Sequence, residues 1–184
     1  MGETRIALSR QLITEARARN EGIGNSRKTI AVLLDNIRSA WNVGSILRSA
    51  DGFGFSHAYL CGITPTPENE SVTKTSLGAE DSVSWSYHKD AVRLVKGLKV
   101  EGWKVYGLEE DARAVEVSHT TDIANESEQR ILIVGNEVTG VDPELLDLCN
   151  QVFYIPMRGE KKSFNVAIAF GIAAFAFQNQ TIEG

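Results

Sequence analysis

Residues 131–140, ILIVGNEVTG, decide how this chain folds. A short apolar run stops at a glycine and gives way to a polar loop. Residues 152–159, VFYIPMRG, repeat the pattern before SFNV at 163–166 opens an apolar helix. Such runs predict buried parallel strands, and ligands bind outside the carboxyl ends of strands in sheets of this kind. The residues expected to face one pocket are Gly135, Asn136, Glu137, Met157, Ser163 and Asn165.

The rest of the chain also alternates between strand and helix patterns. Further strands are predicted at 29–34, 57–61 and 103–108, and helices at 45–53, 90–99 and from Pro143. This rhythm predicts an α/β fold with a mostly parallel sheet flanked by helices. Residues 68–87 are polar and show no clear period. No linker divides the 184 residues, of which 42% are hydrophobic, so we expect one domain spanning residues 1–184.

Charge is unevenly distributed along the sequence. The net charge of −5 argues against a protein that binds nucleic acid over its whole surface. Residues 1–28, however, contain six basic and three acidic residues together with apolar residues at near-helical spacing. We therefore expect a basic N-terminal helical arm. Such an arm suits phosphate contacts along one edge, and it equally suits a solvated helix of mixed charge.

The sequence argues against a disulfide framework, a zinc site and a membrane span. Cys61 and Cys149 suit reduced, buried thiols better than a disulfide framework. His57, His88 and His119 lack the spacing of a zinc site, so no metal is expected. No apolar stretch approaches the roughly 20 residues that span a bilayer. We expect a soluble, cytoplasmic protein without membrane contacts.

A second polar motif, Asn42-x-Gly44-x-x-x-Arg48, follows the first predicted strand. It is interpreted as a loop running into a helix, with Arg48 one turn beyond Gly44 and able to point back toward the strand ends. There its planar guanidinium would bind a phosphate or carboxylate, although the same residue suits a surface salt bridge. The sequence contains neither G-x-G-x-x-G nor G-x-x-x-x-G-K-[ST], so nicotinamide-cofactor and P-loop hypotheses lose their main support.

Polar residues near the predicted pocket also have simpler structural explanations. Glu137 suits an exposed acid or a cap in a tight turn. Ser163 and Asn165 suit helix caps, with Ser163 favoured as the cap. Residues 109–111, Glu-Glu-Asp, suit a solvated acidic face. Capping alone, however, would not require the Ile-Pro-Met segment at 155–157.

Three motifs in this order resemble the SpoU (TrmH-like) RNA methyltransferases of the SPOUT superfamily. They are Asn42-x-Gly44-x-x-x-Arg48-x-Ala50, Gly135-Asn136-Glu137-x-x-Gly140 and Ile155-Pro156-Met157-x-Gly159-x-x-x-Ser163-Phe164-Asn165-Val166. The third motif usually reads Ser-Leu-Asn-Val in this family, so Phe164 is an apolar departure. The resemblance covers residues 29–177.

The fold implied by the resemblance is a sheet whose C-terminal segment threads through a preceding loop to form a deep trefoil knot, an exception to the usual absence of knots. S-adenosylmethionine lies bent in that knot, held by the loops after three strands. An adenine suits apolar walls with backbone groups at its polar edge. On this chain the expected cofactor-binding residues are Leu108, Gly135, Ile155, Met157 and Phe164.

The reaction implied by the resemblance is methyl transfer to a ribose 2′-hydroxyl of tRNA or rRNA, without a metal. The catalytic residues carried over are Arg48, Asn42, Glu137, Ser163 and Asn165. We expect Arg48 to clamp an RNA phosphate and activate the hydroxyl, ahead of acting as general base, because arginine is normally too basic to give up a proton. The other four would orient Arg48 and the ribose.

The resemblance also implies a homodimer in which Arg48 of one chain completes a site near the knot of the other. RNA contacts would come from the N-terminal arm and from residues 158–162, RGEKK. Two other functions stay open at this point. One is a knotted RNA- or S-adenosylmethionine-binding module that has lost catalysis, and the other is a methyltransferase that modifies a base nitrogen.

Overall fold

The computed structural model describes residues 29–119 and 129–179, so the predicted N-terminal arm lies outside the described residues. Strands and helices alternate along the described ranges. The strands are β1 (Ile30–Asp35), β2 (His57–Cys61), β3 (Ser84–His88), β4 (Lys104–Leu108), β5 (Val115–Glu116), β6 (Arg130–Val134) and β7 (Gln151–Tyr154). The helices are α1 (Ala40–Gly52), α2 (Glu70–Ser76), α3 (Ala79–Ser82), α4 (Ala91–Val100), α5 (Pro143–Leu148) and α6 (Val166–Asn179), with a 3-10 turn at Val117–His119.

The strands form one sheet in the order β3-β2-β1-β6-β4-β7-β5, and every adjacent pair is parallel. In the register, Val32 of β1 lies beside Ala58 of β2 and Leu132 of β6. The prediction of a mostly parallel α/β sheet is confirmed. Because β1, β6, β4 and β7 are neighbours, the loops that follow them meet along one edge of the sheet.

Helices cover both faces of the sheet and enclose a core on each side. Leu34, Leu47 and Phe170 belong to the core beneath α1 and α6, whereas Val95 and Ile131 belong to the core on the α4 side. All six residues of β1 and all five of β6 are buried. Burial on both faces explains why these strands read as continuous apolar runs. Each fully buried large apolar side chain contributes about 1.5–3 kcal/mol.

Helix α1 begins five residues earlier than the sequence pattern predicts, at Ala40 instead of residue 45. The Ser39 side chain accepts a hydrogen bond from the Asn42 N–H and caps the helix. Asn42 and Gly44 therefore lie on the helix, and their prediction as a loop is wrong. A Cβ at Gly44 would lie 2.5 Å from the Val72 carbonyl oxygen, so the glycine permits close packing of α1 on α2.

The polar stretch at 68–87 folds into α2, α3 and β3. The Asn69 side chain caps α2, and Leu77 ends it in the left-handed region with φ 53°. Helices this short display too few turns to reveal a period in the sequence. The helix predicted from Pro143 is confirmed, with Asp142 as its cap.

Two further sequence expectations concern thiols and membranes. Cys61 and Cys149 are both free, and burial raises the pKa of each thiol to about 12. Among the described helices, none combines the length and the apolar character required to cross a bilayer.

Candidate active site

A cavity of about 270 Å³ opens at the carboxyl edge of the sheet, between the loops after β4, β6 and β7 and the start of α6. The six residues expected to face one pocket all line it. So do the five residues expected to bind cofactor, which are Leu108, Gly135, Ile155, Met157 and Phe164. The structure therefore places both sets around a single cavity.

The turn after β6, residues 135–141, is held in shape by Asn136. The Asn136 backbone N–H donates to the Gly140 carbonyl, and the Gly140 N–H donates to the Asn136 carbonyl. The Asn136 side-chain oxygen accepts from the N–H groups of Val138 (2.8 Å) and Thr139 (3.1 Å). Its amide nitrogen donates to the Asn36 carbonyl at 2.7 Å, which joins the turn to the end of β1. A Cβ at Gly135 would lie 2.2 Å from the Val141 nitrogen, so the backbone crosses itself tightly here.

Glu137 extends from this turn to the N-terminus of α1. One carboxylate oxygen accepts from the Arg38 N–H at 3.0 Å, and the other accepts from the Ser39 N–H at 3.1 Å and the Asn42 amide at 2.9 Å. Partial burial on its own would raise the pKa of Glu137. The hydrogen bonds from Arg38, Asn42 and Ser39 act in the opposite direction and are stronger, so the pKa lies below its ordinary value. Glu137 is thus an ionised acceptor that fixes Asn42.

Asn165 connects α6 to the same group of residues. Its side-chain oxygen accepts from the Ala167 N–H at 2.9 Å, so Asn165 caps α6, and the preference for Ser163 as cap is wrong. Ser163 lies three residues before the first residue of the helix, too early for that position. The Asn165 amide donates to Asn42 Oδ1 at 3.1 Å. Asn165, Asn42 and Glu137 form one continuous hydrogen-bonded set, hereafter the polar network.

The two other predicted catalytic residues occupy different positions. Ser163 is exposed and lines the cavity. Arg48 is exposed on α1 and is not among the residues that line the cavity. Because α1 starts at Ala40, Arg48 lies six residues beyond Asn42, which places it about 120° around the helix and about 9 Å along it. Arg48 is thus separated from Asn42 along the helix and does not line the cavity of its own chain.

The acidic loop after β4 is only partly the solvated face that was expected. Glu109 is half-buried, lines the cavity and accepts hydrogen bonds from backbone N–H groups. Asp111 instead pairs with Arg113 at 2.8 Å, and Arg113 also contacts Asp147. Within 29–119 and 129–179, no three His, Cys, Asp or Glu side chains lie together in a way that would hold a metal ion.

Residues 29–175 match the profile of the SpoU rRNA Methylase family. The chain belongs to this family. Similarity to individual named proteins covers still more of the chain. It is 33% identical over 175 residues to the tRNA (guanosine(18)-2′-O)-methyltransferase of Thermus thermophilus, covering 92% of this chain and 86% of that protein.

Two more proteins that are similar to this chain carry information on RNA and cofactor. The chain is 30% identical over 179 residues to the 23S rRNA (guanosine(2553)-2′-O)-methyltransferase of Bacillus subtilis, covering 94% of this chain and 66% of that protein. An AdoMet-bound rRNA methyltransferase from Sinorhizobium meliloti superposes with a TM-score of 0.77 at 26% identity, covering 88% of this chain and 60% of that one. The chain thus spans two thirds or less of these two longer relatives.

Sequence reasoning on this SpoU-family chain missed the structural roles of three residues that shape the site. Asn136 was expected only to face the pocket, and Glu109 only to face solvent. Asp35 was not singled out, yet it is buried at the end of β1 and accepts from the Asp142 N–H at 3.1 Å and the Asn36 amide at 2.8 Å. Burial raises the pKa of Asp35. A carboxylate ending an otherwise apolar strand was the available signal for Asp35.

Proposed function

We propose that this protein transfers a methyl group from S-adenosylmethionine to a ribose 2′-hydroxyl of RNA. The observation that carries this function is the polar network of Asn42, Glu137 and Asn165 at the rim of the cavity, in a chain of the SpoU family. The network joins all three sequence motifs at one place. The named relatives act on guanosine in tRNA or 23S rRNA, and we propose one of these RNA classes as substrate.

The cavity fits the cofactor in shape and chemistry. Leu108, Ile155 and Phe164 supply apolar walls for a flat adenine, and Gly135 brings bare backbone to the same wall. The acids Glu109 and Glu110 give the lining a negative character that suits a positively charged sulfonium. When bound, S-adenosylmethionine supplies the methyl group on that sulfonium and needs no metal to do so.

The residues of the chain would orient the ribose and assist loss of its proton. A 2′-hydroxyl is a poor nucleophile while protonated, so alignment and proton removal both count. Glu137 has its oxygens engaged by three donors and a lowered pKa, which makes it a weak base and a positioning group. Asn42, Asn165 and the exposed Ser163 hydroxyl are the groups proposed to orient the ribose. Arg48 is proposed as the phosphate clamp and activator.

We propose a homodimer in which Arg48 of one chain reaches the site of the other. Arg48 does not line the cavity of its own chain. Helices α1 and α6 pack together, and their outer sides expose large apolar residues. Ile168, Ile172 and Phe175 are 56%, 37% and 58% exposed at helical spacing on α6, and Trp41 on α1 is 62% exposed. An apolar surface of this kind suits burial against a second copy, and Arg48 lies on the same helix as Trp41.

We also propose the knot, on the basis of strand order. The chain leaves β4, forms β5 on the far side of β7, and returns to β6 on the opposite side of β4. Residues 109–119 therefore lead past β7 to the edge of the sheet, and α6, which follows β7, contacts the 3-10 turn at 117–119. A terminal segment that passes inside an earlier loop is what a trefoil knot requires.

We propose that residues 1–184 form one methyltransferase domain and that the protein is cytoplasmic. We also propose that RNA is contacted by residues 1–28 and by residues 158–162 next to the cavity. The net charge of −5 means that RNA must be held by such local basic patches.

The test is transfer of a labelled methyl group from S-adenosylmethionine to unmodified tRNA and, separately, to rRNA, followed by nucleoside analysis. We expect the label in a 2′-O-methylnucleoside from one of the two pools. Label on a base would replace the proposal with base-nitrogen methylation. Cofactor binding by calorimetry without transfer to either pool would favour the non-catalytic binding module.

A further inference from the structure

Glu109, the first residue after β4, connects its own loop to the turn after β6 and to strand β7. Its backbone N–H donates to the Phe153 carbonyl of β7 at 2.9 Å. One side-chain oxygen accepts from the Val141 N–H, in the turn after β6, at 2.9 Å. The other accepts from the Glu110 N–H, in its own loop, at 3.0 Å. The loops after β4 and β6 and the end of β7 therefore meet at one half-buried residue.

The fit between Glu109 and the turn at 135–141 requires a glycine. A Cβ at Gly140 would lie 2.3 Å from the carboxylate oxygen that binds Val141. Gly140 also has φ +74°, a backbone conformation that other residues rarely adopt. The last glycine of the Gly135-Asn136-Glu137-x-x-Gly140 motif is therefore the place where the carboxylate lies against the turn.

We propose that Glu109 is a positioning residue for the cofactor. Its carboxylate holds the turn at 135–141 against the loop after β4 and so fixes the backbone that lines the cavity. Both oxygens accept backbone N–H groups, so Glu109 acts through the loops and not by direct contact with the sulfonium charge. This inference rests on the proposed function, because it takes the cavity as the cofactor site.

Glu110 provides a matched control for charge. It carries the same charge, follows Glu109 directly and lines the same cavity. Its side chain is exposed, whereas that of Glu109 is half-buried against the turn. Glu110→Gln therefore removes one negative charge from the cavity wall. It leaves in place the hydrogen bonds that Glu109 accepts from the N–H groups of residues 110 and 141.

The experiment measures binding of S-adenosylmethionine and of its neutral product, S-adenosylhomocysteine, by calorimetry. We expect Glu109→Ala to weaken both ligands, the neutral one roughly tenfold, because two charge-assisted hydrogen bonds are lost. Glu109→Gln keeps one acceptor oxygen and should weaken both ligands by a smaller factor. With either variant the cationic ligand should lose, in addition, the factor that Glu110→Gln measures for removal of one charge. Glu110→Gln should act on the cationic ligand alone.

A second readout is amide hydrogen exchange in the cofactor-free protein. Glu109→Ala and Glu109→Gln should speed exchange at Val141 and Glu110 while strands β1 and β6 stay protected. Glu109→Gln keeps the test decisive should the alanine variant fail to fold. Unchanged affinities in a folded Glu109 variant would overturn the inference, and so would loss of S-adenosylmethionine binding alone. Failure of the unaltered protein to bind either ligand would instead contradict the proposed function.

Discussion

Asn42 and Arg48 belong to one sequence motif and one helix, yet they lie in different surroundings. Asn42 is in the first turn of α1, where it receives a hydrogen bond from Asn165 and donates one to Glu137. Arg48 lies about two turns further along, exposed and outside the cavity lining. A single chain therefore assembles its own polar network but does not bring the arginine to it.

The origin of this difference is local. Ser39 caps α1, and the Glu137 carboxylate accepts from the N–H groups of Arg38 and Ser39, so the helix start is fixed at the site. A carboxylate at a helix N-terminus is also favoured by the helix dipole. Arg48 is then carried away from the site by helical geometry alone. The proposed homodimer would bring the arginine of a second copy to the network.

The largest expected effect is that of Arg48→Ala on catalysis. Methyl transfer should fall by roughly 10²–10³-fold, because an electrostatic contact to the RNA and the reacting oxygen is lost. Cofactor affinity should stay near that of the unaltered protein, since Arg48 does not line the cavity of its own chain and its proposed partner in the dimer is an RNA phosphate. Single-turnover transfer and calorimetry measure the two quantities, with Arg93→Ala on α4 as an exposed-arginine control. Equal loss of both quantities would refute the assigned role.

Mixed dimers test whether Arg48 and Asn165 meet across two chains. Arg48→Ala protomers, nearly inactive alone, and Asn165→Ala protomers, reduced roughly tenfold alone, should together rise to roughly a quarter of full activity after subunit exchange, because half of the dimers are mixed and each has one intact site. A mixture whose activity does not rise after exchange has been verified would place Arg48 and Asn165 in the same site of one chain.

A smaller effect is expected on the network side, at Asn165. Asn165→Ser keeps a capping side chain for α6 but removes the amide that donates to Asn42. Transfer should fall by roughly tenfold with little change in thermal stability. Asn165→Ala should also lose about 1 kcal/mol of stability, because the cap is gone. A near-normal transfer rate in Asn165→Ser would remove the Asn165 amide from the site.

The smallest effect concerns pH and the carboxylate of Glu137. Its pKa in the folded protein is lowered, so its ionised form stabilises the fold at neutral pH, and that contribution is lost as the pH falls through the folded pKa. In Glu137→Gln the free energy of unfolding should fall slightly less steeply as the pH becomes acidic. The difference should be small, because Glu137 is largely exposed. Urea unfolding between neutral and acidic pH measures it, with Glu144→Gln as control. Parallel stability curves for the unaltered protein and Glu137→Gln would contradict the assignment.

The sequence predicts the buried strands well, but it does not reveal β3 and β5 and it predicts the contacts between loops poorly. Buried runs such as 131–134 carry their own signal, because both faces of the sheet are covered. The start of α1 was missed because Gly44 resembles a loop residue, whereas its role is packing against Val72. The hydrogen bond from Asn136 to Asn36 spans 100 positions, and no local pattern can reveal a partner so distant.

The candidate site shows the same limit. Motif residues 137 and 165 could be named because their spacing matches a known family, and the structure adds that both contact Asn42. Glu109 had no such signal. Its partner, Val141, is 32 positions away, and an acidic residue in an acidic loop favours a solvated interpretation. Only the fold distinguishes Glu109 from Asp111, which pairs with a neighbouring arginine instead.

The turn at 135–141 is held by side chains of the protein itself. Asn136 and Glu109 accept hydrogen bonds from the N–H groups of Val138, Thr139 and Val141. A ligand that enters the cavity therefore has little chain to order, and the entropic penalty of binding falls mainly on the ligand itself. Selection among adenosine compounds would then reflect how well each can bend to a fixed shape, with the protein acting as template and the ligand as the flexible partner.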